Sequence, residues 1–433
     1  MLNIPELVGL DSYTASIRIP PELNVPLTDR VRRIIDTAPF RRLARISQVG
    51  LVSLVYPAAR HTRFEHSLGV YRLALLILKR LSHIPEFVNR VTQRDAEKLI
   101  ITALLHDVGH YPFCHLIEDI RLEGPSGDLP HHEELAVNFI GQNELADLLR
   151  KDWNIEPNEV IQLLTGKTEN PTAVDRLLSS ILSGPIDIDK MDYLFRDSLH
   201  AGVPYGLQLD QGRLIGSFCL NASEDGLAIT EKGKTAAELM IFARYIMFSE
   251  VYWHHAVRSA TAMLQRLFGE LYYARKIDFS HYINLSEDEA VRFLLETSAN
   301  TPMERLAHGL FGEKRMLYKR VAQYSMMEEP EKYHQFAGKP YRQICELADK
   351  LCADENMPPM SILIDAPPVK KEIEFKIDVK MKTSLLQDSP RQPPAYAALE
   401  DMSPVVRAMA KEQFDDYVKR VRIFRSMSCP PMS

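Results

Sequence analysis

The sequence predicts a mostly α fold, a helical core followed by a smaller α+β C-terminal region. Two observations carry this reading. From residue 62 to about residue 311, apolar positions recur every three or four residues, the spacing of one helix face. Beyond about residue 360 the period falls to two in SILIDAP, KKEIEFKIDVKM and VKRVRIFRS, the alternation of half-buried strands. The chain divides accordingly into an N-terminal segment 1–30, a core 31–275, a helical extension 276–360 and an α+β region 361–433. With 433 residues, 45% of them hydrophobic, it can bury a substantial core.

Taken in order, Phe64, Leu68, Leu73, Leu76 and Ile77 place a helix over 62–82 that also carries Arg63 and His66. A second helix over 95–106 stops before Gly109, leaving His106 and Asp107 at its C-terminal end beside a turn. GPSGDLP (124–130) reads as a loop, and HHEELAVNFI opens a helix over 133–150 with acidic residues in its first turn. Further helices are expected at 174–183, 234–275, 286–296 and 301–311. Asp189, Tyr193 and Asp197 are spaced by four and fall near one helix face. The Pro-rich DSPRQPPAYA (388–397) reads as a loop between strands.

The net charge of −6 excludes a generally basic, nucleic-acid-coating surface, so polyanions are expected only in a local pocket and nucleic acid is not indicated. Five cysteines, Cys114, Cys219, Cys345, Cys352 and Cys429, are scattered without a CxxC, which fits a reducing compartment and argues against a thiolate zinc site. No apolar run approaches the ~18 residues of a membrane span, and the N-terminus lacks a charged stretch followed by an apolar one. A cytoplasmic protein without a membrane partner is the expectation.

Eight of the 14 histidines, His61, His66, His83, His106, His110, His115, His131 and His132, crowd into a sixth of the chain. One histidine on an apolar face is more often structural than a ligand; this density shifts the weight. His66, His106, Asp107 and Asp189 supply two imidazoles and two carboxylates in apolar surroundings, and LIITALL should carry His106 and Asp107 inward. An unpaired buried carboxylate costs several kcal/mol, and a divalent cation removes that cost. Imidazole with carboxylate suits Mn, Fe, Zn, Ni or Mg. His110 and His115, in GHYPFCH, are aimed at the same cleft by an irregular backbone, or else hydrogen-bond to the ligands from outside.

Six ordered blocks, IIDTAPFRRLARISQ, HTRFEHSLGV, HDVGHYPFCH, HHEE, DIDKMDYLFRD and FARYIMFSEVYWH, cover roughly residues 30–260. Their pattern resembles the HD-domain metal-dependent phosphohydrolases, and within them the branch that hydrolyses deoxynucleoside triphosphates (dNTPs). The resemblance implies an HD-domain helical core with ligand order H…HD…D, matched by His66, His106, Asp107 and Asp189. It further implies that His110 and His115 contact phosphate, with His115 as acid for the leaving oxygen, and that His132 and Glu133 form a catalytic pair. Arg63, Lys190 and Arg244 match phosphate-binding cations; Tyr193 and Asp197 match sugar contacts; Gln48 matches a residue at the 3′-hydroxyl and Tyr252 one near sugar and base. The implied partners are a nucleotide substrate and further copies of the chain in a dimer or tetramer. Two other readings stay open: hydrolysis of nucleoside monophosphates or another phosphoester, and a nucleotide-sensing or nucleic-acid-binding regulator with little turnover.

The chain also departs from that pattern. Where activated relatives carry a DPIHG-like segment it reads IPPELNVPLTDRV, and Ala44 stands in place of an arginine, while Asp36, Arg41 and Arg45 remain. Hydrolysis of a single dNTP without GTP is therefore expected, or a response to another nucleotide bound through Arg41, Arg42 or Arg45.

Overall fold

The computed structural model describes residues 3–12, 15–124, 127–367, 376–382, 396–411 and 418–427. At its centre lie the two helices that carry the first motifs. α1 (Arg63–Leu81) begins where the Thr62 hydroxyl accepts from the Glu65 amide, and it buries residues on nearly every side, Leu68, Val70, Leu73, Leu75 and Leu78 among them. A helix apolar around most of its circumference belongs inside a core. α2 (Gln93–Leu105) opens on a reciprocal Thr92–Asp95 capping box and hands over to His106 at its last turn.

Around this pair stand α3 (His132–Ile140), α4 (Asn143–Trp153), α5 (Ala173–Leu182), α6 (Ile188–Ala201) and α7 (Lys234–Ile246). Leu75, Ile77, Leu104, Leu177, Met191 and Met240 meet in one hydrophobic core. A second core gathers α8 (His255–Tyr273), α9 (Glu287–Ser298) and α10 (Glu304–Phe311) around Met263, Leu267, Phe268, Leu294 and Leu306. Each such side chain contributes about 1.5–3 kcal/mol by leaving water. The segment after α2 crosses from one core to the other: Val108 belongs to the first, Tyr111, Phe113 and Ile117 to the second.

Two expected helices are broken. The one over 133–150 splits into α3 and α4 after Ile140, at Gly141. The one over 234–275 splits into α7 and α8 around a π-helical turn, Met247–Tyr252, a wider turn that side-chain periodicity does not announce.

Strands also occur where periodicity pointed to none. β1 (Ser16–Ile19) and β2 (Leu23–Pro26) form a hairpin within residues 1–30. β3 (Phe218–Leu220) and β4 (Leu227–Thr230) lie inside the expected helical core, and β5 (Lys319–Tyr324) lies inside the expected helical extension. Runs as short as β1 to β4 cannot be assigned by period alone, and β5 lacks an alternation of buried and exposed positions. SILIDAP yields β6 (Ile362–Asp365), KIDVK yields β7 (Asp378–Lys380), the end of the Pro-rich stretch yields β8 (Tyr396–Ala398), and VRIFR is β9 (Val421–Arg425). One sheet has the order β8-β7-β4-β3, with β4 and β7 parallel, and another is the antiparallel β5-β9-β6. Both sheets therefore cross the boundary placed at residue 360. Residues 370–375 of KKEIEFKIDVKM, 388–395 of the Pro-rich stretch and Cys429 lie outside the described residues. Among the described residues every cysteine is free, and no helix is long and apolar enough to cross a membrane.

Candidate active site

The N-terminal turn of α1 and the C-terminal end of α2 bring His66 and His106 together. His66 Nδ1 lies 2.8 Å from Asp192 Oδ2, and His106 Nδ1 lies 2.9 Å from the Ala103 carbonyl. Each acceptor takes a hydrogen bond from Nδ1–H, so the two Nε2 atoms point into the site, 3.2 Å apart, and in neutral rings both carry lone pairs. Two facing lone pairs at that separation require a proton or a cation between them. Asp107 adds an oxygen 3.3 Å from His106 Nε2, and Asp189, on the first turn of α6, one 3.0 Å from His66 Nε2. Ligand atoms of His66, His106 and Asp107 all lie within 4.8 Å of one another, a donor set that fits one divalent cation.

The electrostatics agree. Burial alone would lower the His66 pKa, yet hydrogen bonds to Asp189 and Asp192 and the charge of Asp107 outweigh it and push the imidazole up to about 10. Burial would raise Asp107, but His110, His106, Arg63 and His66 hold it well below the usual carboxylate range. The site is built for added positive charge.

Behind it runs a buried clamp that the sequence reading missed. Arg196 grips Asp192 with Nε and Nη2, each 2.7 Å from a carboxylate oxygen, and reaches Glu65 with Nη1 at 2.6 Å. His200 Nε2 lies 2.9 Å from the same Glu65 oxygen. Through Asp192 this network fixes the His66 ring, the outer support that ligating histidines generally require. α1 must come very close to make it: a Cβ on Gly69 would fall 1.9 Å from Asp192 Oδ1 and 2.4 Å from Arg196 Nη2. Asp192 and Arg196 follow Asp189 by three and seven residues, so helical spacing was the available signal.

A second imidazole cluster adjoins the first through His110, whose Nδ1 lies 3.2 Å from Asp107 Oδ1. His110 Nε2 is 3.2 Å from His115 Nε2, and the His110 ring packs 3.9 Å from that of His132. Burial and the nearby Arg63 charge hold His110 well below the usual imidazole range. His115 stands on the short helix Cys114–Glu118 and is 56% exposed at the cluster mouth. The carboxylate that organises this cluster is Glu118. It accepts from the His132 amide at 2.6 Å and lies 3.1 Å from His132 Nδ1 and 3.4 Å from His115 Nδ1. Burial would raise Glu118, and the hydrogen bonds from His115 and His132 drive it far down instead.

Glu133, the expected partner of His132, is exposed, and among the described residues no hydrogen bond joins it to the cluster. Adjacent helix residues do not face one another, which explains the difference. α3 docks here because Gly109 is bare: a Cβ would meet the His132 carbonyl at 2.0 Å.

Of the expected substrate residues, Arg63 touches the first cluster, and Lys190, Tyr193 and Asp197 share α6 with Asp189. Arg63 Nη1 bonds Asp107 Oδ2 at 2.9 Å, while its buried Nε has no partner among the described residues. Gln48 Oε1 is likewise buried and unpartnered, and the Gln48 amide bonds the His61 carbonyl. Asp197 accepts from Tyr252 Oη at 2.5 Å and lies 2.8 Å from His61 Nε2, so the π-helical turn delivers Tyr252 to Asp197. Tyr193 is half-buried, and burial pushes its phenol up. Lys190 is tied back to the buried Asp187 at 2.6 Å, and Arg244 lies over the Phe248 ring. Of the arginines considered for an effector, Arg42 is buried and bonds the Val108 and Ile283 carbonyls, a structural role; Arg41 and Arg45 are exposed.

Comparison with known proteins adds to this geometry. A model of the HD domain matches residues 63–196, and a model of the HD associated region matches residues 209–418. The chain is 33% identical over 357 residues to the uncharacterized protein MJ1154 of Methanocaldococcus jannaschii, covering 82% of this chain and 69% of that one. It is 30% identical over 294 residues to the deoxynucleoside triphosphate triphosphohydrolase SAMHD1 homolog of Dictyostelium discoideum, covering 65% of this chain and 55% of that protein, little more than half its length. A solved structure of a hypothetical protein from Aquifex aeolicus matches with a TM-score of 0.70 at 26% identity, over 95% of this chain and 96% of that one.

Proposed function

This chain belongs to the HD-domain family, and on that premise we propose that it is a divalent-cation-dependent phosphohydrolase acting on dNTPs, which it splits into deoxynucleoside and triphosphate. The observation that carries the reading is the contact between two clusters of different chemistry. A donor set for one cation, His66, His106, Asp107 and Asp189, touches a group of imidazoles through the 3.2 Å approach of His110 to Asp107. The likeness to the Dictyostelium triphosphohydrolase supports the choice of substrate.

A divalent cation held by the first set would lower the pKa of water and offset phosphate charge. The chain's own residues supply the rest. Arg63 neutralises phosphate oxygens beside Asp107, and a guanidinium is shaped for paired hydrogen bonds to them. His115, at the mouth, protonates the leaving oxygen, and His132, oriented by Glu118, holds the phosphate chain with His110. Asp197, fixed by Tyr252 and His61, accepts from a sugar hydroxyl, with Gln48 alongside. Because the DPIHG-like segment and the arginine at position 44 are absent, no guanine nucleotide is needed.

The test is to incubate the purified protein with each dNTP singly, with Mn²⁺ or Mg²⁺ and with or without GTP, and to separate the products. Deoxynucleoside with triphosphate, formed without GTP, is expected. Pyrophosphate with a monophosphate would move the point of attack, and saturable binding without turnover would favour the sensor reading.

A further inference from the structure

We propose that His110, His115 and His132 form a second transition-metal site, distinct from the His66, His106, Asp107 and Asp189 set, and that filling it arrests the reaction. The arrest, unlike the binding, rests on the proton-handling role given to His115.

The geometry repeats the chemistry of the first set. His110 Nδ1 has the Asp107 carbonyl at 3.3 Å, and His115 Nδ1 has Glu118 Oε2 at 3.4 Å. With both Nδ1 atoms committed, the two Nε2 lone pairs face one another at 3.2 Å, the same separation as between His66 and His106. Two imidazoles on adjacent corners of one cation, each at about 2.0–2.1 Å, place their nitrogens about this far apart. His132 completes the set, since one ring nitrogen of each residue lies within 4.8 Å of the others. Glu118, 8% exposed, stands behind His115 and His132 as the orienting carboxylate and the balancing charge. His110 forms the closed wall at 2% exposure, and His115, at 56%, leaves an open approach from solvent.

The two sets differ in ligand type, and so should differ in the metal they prefer. Two imidazoles with two carboxylates accept hard and borderline cations alike, whereas three imidazoles select Zn²⁺, Ni²⁺ or Cu²⁺ over Mg²⁺ and Mn²⁺. A ring nitrogen bound to a cation cannot carry a transferable proton, so occupancy removes the acid.

The experiment titrates Zn²⁺ into the chelator-treated full chain against a chromophoric chelator and counts metal per chain by mass spectrometry. About two equivalents are expected for the wild type. His115→Gln and His132→Gln should each keep only the tighter one, and His106→Gln should keep the weaker. Glu118→Gln retains all three imidazoles and should weaken only the second equivalent, by roughly 10–100-fold. In Mn²⁺-supported assays the second equivalent should lower dNTP hydrolysis at least about tenfold. A single equivalent at saturating Zn²⁺, or a second one unchanged in the His115, His132 and Glu118 variants, would overturn the site. Two equivalents with undiminished hydrolysis would overturn the arrest. Two equivalents in a protein that hydrolyses no dNTP even with only the first equivalent bound would leave the site standing and refute the dNTP reading, while dNTP hydrolysis in a protein that takes up one equivalent would do the reverse.

Discussion

Replacing Arg196 by methionine tests whether the buried clamp behind His66 sustains the metal set. The guanidinium is wholly buried and makes two 2.7 Å hydrogen bonds to Asp192, itself only 5% exposed, and one of 2.6 Å to Glu65. Methionine fills much of the space but leaves the Asp192 carboxylate with His66 Nδ1 as its remaining partner in this network. Removing one member of a buried ion pair costs up to about 3–5 kcal/mol, the full figure applying where the other charge stays buried without compensation; in stripped protein the cationic His66 keeps part of that compensation for Asp192. Asp192 would then settle elsewhere, and loss of an outer partner generally weakens metal binding by about 10–100-fold. Both effects are measurable, the first as a shift in denaturation midpoint on chelator-treated protein, the second by competition with a chromophoric chelator. Adding Asp192→Asn removes the stranded charge, so the double variant should be less destabilised than the two single losses summed, with a coupling of about 0.5–3 kcal/mol. A loss below about 1 kcal/mol in Arg196→Met, the scale of an exposed pair, together with unchanged metal affinity, would refute the clamp.

Glu118→Gln keeps the side-chain shape and an acceptor for the His132 amide, but loses the charge; kcat should fall roughly 10–100-fold with the tighter metal equivalent retained, and an unchanged kcat would remove Glu118 from the mechanism. In metal-stripped protein the His66 pKa stands at about 10 against an ordinary 6.5. A raised pKa stabilises fully below the unfolded value and progressively less as pH climbs to the folded one, so stripped protein should lose stability between about pH 7 and pH 10. A flat denaturation midpoint over that range would contradict the charge assignment. Light scattering should find a dimer or tetramer, with Leu239 and Phe242, exposed on α7, as buried contacts; a monomer at working concentration that retains full activity would contradict this, and charged replacements at both positions should shift an oligomer toward monomer.

The helices were legible where their apolar faces are long: α1, α2, α5, α9 and α10 fall close to the segments that periodicity marks. What escaped was short or non-local. β1 to β4 are too brief for period two to separate from a helix turn, β5 shows no alternation of buried and exposed positions, and the π-helical turn leaves no period of its own. At the site, His66, His106, Asp107 and Asp189 could be named because their motifs are local, and the structure brings them together. Glu65 could not, because its partner Arg196 lies 131 residues away, and the pairing of Glu118 with His132, 14 residues on, has no local code either; the one local signal for Glu118 was its i,i+3 spacing from His115. Glu133 came from the resemblance, as the partner of His132 in the family's catalytic pair, and the helix leaves its side chain exposed.

The passage of one short segment between two cores separates two properties of the site mechanically. His66, His106 and Asp189 hang from helices anchored in the first core, while the helix bearing His115 is bolted to the second, where Gln265 of α8 bonds the Leu116 carbonyl and Tyr282 the Pro112 carbonyl. Repacking of residues 255–311 can therefore shift His115 relative to His66, His106 and Asp189. On the proposed roles, natural variation confined to that helical layer would change turnover and the second metal equivalent while leaving the first in place, a throttle outside the ligand set of the first cation.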